Sequence, residues 1–252
     1  MCYNIAFLTQ RIALYAKRYE HLLVKSNNHM PLPDNDLKTF YWVNGFEHPE
    51  LPVVTEKGII TASWGLIPEW TRSETDAQMV RGKTLNARGE SIFKKPTFSK
   101  SANSSRCLLG IEGFYEWRLF NGNKYPYLIL PASGQRFTLG CLYSQWVNAE
   151  NGDCVDTFSI VTTPANELMA EIHNTKQRMP LILPQNLESV WLKSSTSANE
   201  IQKLIAPYPS ADMQAFTISR RYNAATSHRN TPESMQAVRY PELEAGHSPT
   251  LF

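Results

Sequence analysis

Near the start of the chain, apolar positions follow a helical period. Ile12, Tyr15, Tyr19 and Leu22-Leu23 recur every three or four residues after Thr9, a usable N-cap, so residues 10–24 are predicted as an amphipathic helix. Asn, His, Pro and Gly are frequent over residues 25–52, which read mostly as loop around an aromatic anchor at Phe40, Tyr41 and Trp42. The middle of the chain reads as strands. Residues 113–120 and 124–130 flank Asn121-Gly122, the strongest short-range hairpin cue, and further strands are predicted at 137–146, 158–162, 179–183 and 216–219.

Three further helices are expected between and after these strands. Thr163-Pro164 reads as a cap followed by proline at the first helical position, with Leu168, Met169 and Ile172 on one face up to about His173. Ser197 and Glu200 form a capping-box pattern ahead of Ile201, Leu204 and Ile205, and a short helix is expected over residues 187–192. Strands and helices do not alternate regularly. The prediction is therefore one α+β domain over residues 1–240, with an antiparallel, barrel-like sheet core and peripheral helices, followed by a flexible tail at 241–252.

Of the 252 residues, 42% are hydrophobic, which supplies a core and excludes a fibre, a coiled coil or a wholly disordered chain. The formal charge of +2 says little, but its distribution says more. Between Arg81 and Arg106, seven basic residues (Arg81, Lys83, Arg88, Lys94, Lys95, Lys100 and Arg106) face Glu90 alone, a local signal for an anionic ligand such as a phosphate backbone. Four cysteines, at 2, 107, 141 and 154, make no metal-binding spacing and no disulfide framework, so a reduced, cytoplasmic setting without metal or cofactor is expected. Neither a secretory leader nor an apolar run long enough for a membrane span is read.

The most unusual chemistry sits at Cys2. Removal of Met1 would leave an α-amine and a thiol on adjacent carbons. With a reference pKa near 8, about a tenth of such an amine is unprotonated at neutral pH. An aldehyde would form an imine with it, and the thiol could close on the imine carbon to a five-membered thiazolidine. The plain alternative is that cysteine at this position is arbitrary. Imine formation moves protons, for which Glu116 and His173 are candidates. Glu116 stands between aromatic residues, where desolvation would favour an acid role, and shares a strand face with Phe114 and Arg118; a rim carboxylate is the alternative. His173 lies near a helix end, where the dipole would favour its charged form, unless it is a capping or surface histidine. Asn86 can orient a hydroxyl or carbonyl, Arg88 can take a phosphate in fork geometry, and Lys94 and Lys95 add point charges, unless the whole window is a solvated basic surface. Of Trp64 and Trp70, at least one is expected in the core; the other could stack on a base or wedge against a duplex end.

In order along the chain come Met1-Cys2, Trp64-Gly65-Leu66-Ile67-Pro68-Glu69-Trp70, Asn86-Ala87-Arg88-Gly89-Glu90, Arg106-Cys107 and Gly113-Phe114-Tyr115-Glu116-Trp117. They are followed by the strand from Phe158 to Thr163, Ile172-His173, Arg178-Met179-Pro180-Leu181-Ile182-Leu183 and Tyr222-Asn223. This series resembles the SOS-response-associated peptidase (SRAP) family, the abasic-site-processing proteins of bacteria and eukaryotes. The resemblance implies a monomer that binds single-stranded DNA, or its junction with duplex, and captures an abasic site covalently through Cys2 after self-processing removes Met1. It further implies that Asn86 positions the sugar or the N-terminus, Arg88 contacts phosphate, Glu116 handles protons, and His173 assists ring opening and reversal. Trp64, Trp70, Lys94, Lys95 and Arg178 complete the expected DNA contacts. The family often begins Met-Cys-Gly-Arg, whereas this chain carries Tyr3 and Asn4. Two other classes compete: an N-terminal-nucleophile amidohydrolase, and a non-catalytic single-stranded DNA binding module.

Overall fold

The computed structural model describes residues 2–23, 37–224 and 228–244. Its first half holds β1 (Asn4–Phe7), α1 (Ile12–Arg18), α2 (Glu20–Leu23), β2 (Phe40–Asn44), β3 (Glu50–Thr55), β4 (Gly58–Trp64), α3 (Glu74–Arg81), β5 (Asn86–Arg88), α4 (Pro96–Ser104), β6 (Arg106–Ile111) and β7 (Gly113–Phe120). Then follow β8 (Asn123–Pro131), β9 (Phe137–Val147), β10 (Cys154–Pro164), α5 (Glu167–Ile172), β11 (Arg178–Pro180), α6 (Gln185–Leu192), α7 (Ala198–Leu204), β12 (Met213–Thr217) and α8 (Pro241–Glu244).

The strands make two sheets. In the larger, β4, β3, β6, β9 and β10 are hydrogen-bonded in that order, and parallel pairing of β10 with β4 (Thr157 with Ser63, Phe158 with Trp64) returns the sheet on itself as a barrel. Closure leaves no free edge between these strands. β10 is long enough to pair β9 on one side and β4 and then β5 on the other, with β11 added near its end. The second sheet runs β12-β8-β7-β1-β2. Their shared core buries Leu108, Leu109, Ile111, Phe114, Phe137, Leu139 and Ile160 completely or nearly so. The α+β, barrel-cored architecture is the one expected.

Local signals succeed where the contact is local. Asn121 and Gly122 take φ of 46° and 76° between β7 and β8, as a hairpin turn requires. The Ser197–Glu200 capping box forms and opens α7. Other expectations are corrected. The helix predicted over 10–24 breaks at Tyr19 into α1 and α2, and its N-cap is Arg11, not Thr9. Both tyrosines of its apolar stripe are buried on the barrel, where the Tyr15 hydroxyl accepts from Gly110 N–H at 2.8 Å and Tyr19 Oη lies 3.1 Å from Thr138 Oγ1. Within the predicted loop 25–52, residues 25–36 lie outside the described residues, but 40–44 and 50–55 are strands β2 and β3. Thr163-Pro164 does not cap a helix: it ends β10, paired with Met179 and Arg178, and α5 begins later with Asn166 as its N-cap. The expected tail begins with α8, where Leu243 is buried and Glu242 accepts from Tyr125 at 2.8 Å; residues 245–252 lie outside the described residues.

Candidate active site

β1 lies between β7 and β2, with Asn4 opposite both Tyr115 and Asn44. This register carries the residues that precede β1 to the neighbourhood of Glu116. Trp42 from β2 stacks on Tyr115 with ring centroids 3.8 Å apart and donates its indole N–H to Asn4 Oδ1 at 2.9 Å, so the start of β1 is fixed by aromatic packing. Cys2 is buried, with 1% of its surface exposed. Burial pushes its thiol well above the ordinary range, and the nearby Glu116 carboxylate adds to the push, so the sulfur is held as a thiol at neutral pH.

Asn86 reaches Cys2 from the other sheet. β5 pairs in parallel with β10, Asn86 beside Ile160, and from there the Asn86 amide donates to the Cys2 carbonyl at 2.9 Å. Its Oδ1 is shielded from solvent and has no hydrogen-bond partner among the described residues. An acceptor in that state is able to take a bond from a donor.

Glu116 and His173 form the third part of the site. The His173 Nδ1 is 3.4 Å from Glu116 Oε2 and 2.8 Å from the Arg178 carbonyl, and both side chains are largely buried. A carbonyl only accepts, so Nδ1 carries the ring proton and Nε2 is the basic nitrogen of the neutral imidazole. Burial pushes His173 below its ordinary pKa, against the opposing pull of Glu116. The helix end is expected to favour the charged ring; burial acts in the opposite direction, and α5 has only six residues. α5 is clamped to β7 by an Arg118–Glu171 ion pair at 2.8 Å and by Asn174, which accepts from Leu119 N–H at 3.1 Å and donates to Leu119 O at 2.8 Å. These contacts hold His173 over Glu116.

Beside this pair opens a cavity of about 330 Å³ lined by Tyr3, Glu116, Trp117, His173, Lys176 and Asn223, among others. Sequence reasoning did not single out Tyr3, Lys176 or Asn223 as site residues. Asn223 accepts from the Trp117 indole N–H and donates to Lys124 O, both at 2.8 Å, a link over a separation that no local pattern reveals. A larger cavity, of about 640 Å³, is lined by His21, Glu56, Lys193 and Glu200 among others and includes none of the candidate site residues.

The expected DNA contacts separate into two groups. Trp70 is 61% exposed, and Arg88, Lys94 and Lys95 are exposed as well. Trp64 is corrected to a core residue: it is fully buried, its indole N–H donates to Leu85 O at 2.8 Å, and it stacks on Phe158. Arg178 is paired. Its guanidinium makes a bidentate pair with Glu90 at 2.7 and 2.9 Å and a further bond to Thr162 O, with 11% of the side chain exposed, so it supplies no uncompensated charge. Its proximity holds the Glu90 carboxyl below the usual range. Two members of the basic window are likewise engaged, Lys100 with Glu69 and the buried Arg106 with the carbonyls of Ala102, Asn103 and Trp191. Among the described residues, no group of three or more His, Cys, Asp or Glu side chains is placed to hold a metal ion.

The fold and this cluster define an α+β protein in which Asn86 contacts the buried Cys2 and His173 lies beside Glu116. Residues 2–225 match the family described as SOS response associated peptidase (SRAP), and the chain belongs to that family. It is 35% identical over 207 residues to the abasic site processing protein YoqW of Bacillus subtilis (strain 168), covering 77% of this chain and 88% of that protein. Against the abasic site processing protein HMCES of Xenopus tropicalis the identity is 30% over 205 residues, covering 73% of this chain and 58% of that one. A crystal structure of a protein from Bacteroides thetaiotaomicron is similar with a TM-score of 0.84 at 34% identity, over 94% of this chain and all of the other. A structure from Bordetella bronchiseptica, at 22% identity and a TM-score of 0.67, shares the fold.

Proposed function

We propose that the protein captures abasic sites in single-stranded DNA, acting as a cytoplasmic monomer, by forming a thiazolidine between Cys2 and the ring-opened sugar after Met1 is removed. The observation that carries this reading is the Asn86–Cys2 contact at 2.9 Å, set in a neighbourhood that also holds the Glu116–His173 pair. Membership of a family with abasic site processing relatives supports it.

Water first cleaves the Met1–Cys2 peptide bond, and Asn86 holds the Cys2 carbonyl in place as the new amine forms. The deoxyribose 1′-hydroxyl gives its proton to His173 Nε2 as the ring C–O bond breaks, which releases the aldehyde and returns a proton to the ring oxygen. The Cys2 amine adds to the aldehyde carbon. Glu116, placed beside His173, takes a proton from the added nitrogen and passes it to the departing hydroxyl, and loss of one water leaves the imine. Sulfur then bonds to the imine carbon while the thiol proton passes to nitrogen. The closed ring removes the iminium that would otherwise promote β-elimination and strand cleavage. Arg88, Lys94 and Lys95 supply exposed positive charge for the phosphate backbone, and Trp70 supplies an exposed ring for stacking on a base or at a junction with duplex.

Cys2→Ser tests the assignment. It keeps the amine and a transient imine, so denaturation-resistant retention of abasic DNA is expected to fall to near background and to return only with borohydride trapping. Equal unreduced retention by Cys2→Ser and the parent protein would overturn the thiazolidine. Purely salt-reversible retention by the parent would instead make the protein a binding module, and turnover of a small amide without DNA would make it an amidohydrolase.

A further inference from the structure

We propose that Tyr3 and Phe46 form an aromatic ledge that stacks on the nucleobase next to the abasic position, a base subsite at the rim of the candidate active site. The inference rests on the abasic-DNA reading above and adds to it the way in which the neighbouring nucleotide is held.

The two rings lie with centroids 5.0 Å apart and planes inclined by 38°. Tyr3 lines the same cavity as Glu116 and His173, which makes the ledge continuous with the place where the sugar would react. Phe46 extends it outward, with 54% of its surface exposed. An exposed phenylalanine alone needs no explanation. Here, however, it sits on a firmly built support. Asn44 Oδ1 accepts from Phe46 N–H at 3.1 Å and starts a single 3-10 turn, which His48 ends with a left-handed φ of 50°. Gly45 donates its N–H to the Tyr3 carbonyl at 2.8 Å, so the backbones that carry the two rings are bonded to each other. Gly45 also lies against the buried Trp64, where a Cβ would stand 3.1 Å from three ring atoms. His48 Nδ1, 2.7 Å from the Trp64 carbonyl, secures the far end of the turn.

The chemistry that fits is the flat face of a base. An abasic nucleotide leaves its neighbour with one face unstacked, and a fixed pair of rings beside the reacting sugar can cover that face without displacing another base. Aromatic stacking tolerates any base, because each presents a π-face. Rings held by their own backbone contacts lose little freedom on binding, so more of the contact is realised as affinity.

The experiment uses the whole protein and single-stranded oligonucleotides that carry a tetrahydrofuran abasic analogue, with 2-aminopurine placed on one side of it or the other. On binding, 2-aminopurine on one side is expected to be quenched by stacking. Phe46→Ala is expected to lose that quench at saturation and to raise Kd about 5- to 100-fold. Phe46→Trp is expected to restore both, and Phe46→Leu neither. A melting temperature close to the parent's confirms that each variant folds. Quenching that is absent with the unmodified protein, or equal in the parent and Phe46→Ala while both bind, would overturn the ledge alone. If the parent neither binds the analogue nor forms an adduct with natural abasic DNA, the abasic-DNA reading fails and the ledge fails with it.

Discussion

The side chain of Asn86 donates to the backbone carbonyl of Cys2 at 2.9 Å across a separation of 84 residues. β5 thereby fixes the residue on which the proposed chemistry depends. Asn86→Ala removes a hydrogen bond worth about 1 kcal/mol, so single-turnover adduct formation should slow about 5- to 10-fold with the fold retained. Asn86→Asp should do no better, since a carboxylate cannot donate and faces the carbonyl with like polarity. Parental rates in both variants would remove Asn86 from the site.

His173 ties the stability of the protein to pH. Its folded-state pKa lies below the ordinary 6.5 because burial disfavours the charged ring. The unfolded chain therefore binds more protons in the window from about 6.5 down through the depressed value, and stability falls as pH falls through it. His173→Gln cannot charge and should flatten that fall. Urea unfolding of both proteins between about pH 7.5 and 5 measures the difference, and parallel curves would contradict it.

Arg88 and Arg178 should respond in opposite ways. Arg88 is exposed, so Arg88→Ala is expected to weaken binding to abasic and intact single strands alike and to flatten the log-log salt dependence by about 0.7. Arg178 already neutralises Glu90. Arg178→Ala should leave the salt slope near the parental value while lowering stability by about 1–2 kcal/mol. Salt titrations and chemical denaturation of the two variants separate these outcomes; a flattened slope for Arg178→Ala would return it to the phosphate interface.

The two tryptophans of one seven-residue motif are expected to divide the same way. Trp64→Ala should cost about 3–5 kcal/mol of stability, since it empties a fully buried site and removes the indole bond to the Leu85 carbonyl. Trp70→Ala should change stability by less than about 0.5 kcal/mol but weaken single-strand binding by about 1–3 kcal/mol. Thermal melts and equilibrium titrations of both variants check the contrast. A destabilised Trp70→Ala would place that ring in the core.

What was legible in the sequence was mostly local. Asn121-Gly122 specifies its hairpin because the turn depends on two residues only, and Ser197 with Glu200 specifies its cap for the same reason. Thr163-Pro164 misled, since its helix-start pattern yields to pairing with β11, a partner that a short window does not show. β6 passed unnoticed because all six of its residues are buried, which erases the alternation that marks a half-exposed strand. β3 was hidden by the turn-like composition around it and by its own Pro52. At the site, Cys2, Asn86, Glu116 and His173 could be named from their motifs, but their approach to one another depends on strand register. The same holds for Arg178, whose partner Glu90 lies 88 residues away. A charge count alone does not show that pairing.

The central claim is that Cys2, freed of Met1, closes a thiazolidine on an abasic sugar, and the intact mass of the protein before and after incubation with abasic single-stranded DNA tests it most directly. The expected spectrum shows a chain lacking one methionine, and then a new species equal to that chain plus the oligonucleotide minus one water, formed without reductant and stable to denaturation. A chain that keeps Met1 and shows no covalent species, or an adduct that appears only after borohydride, would contradict the claim.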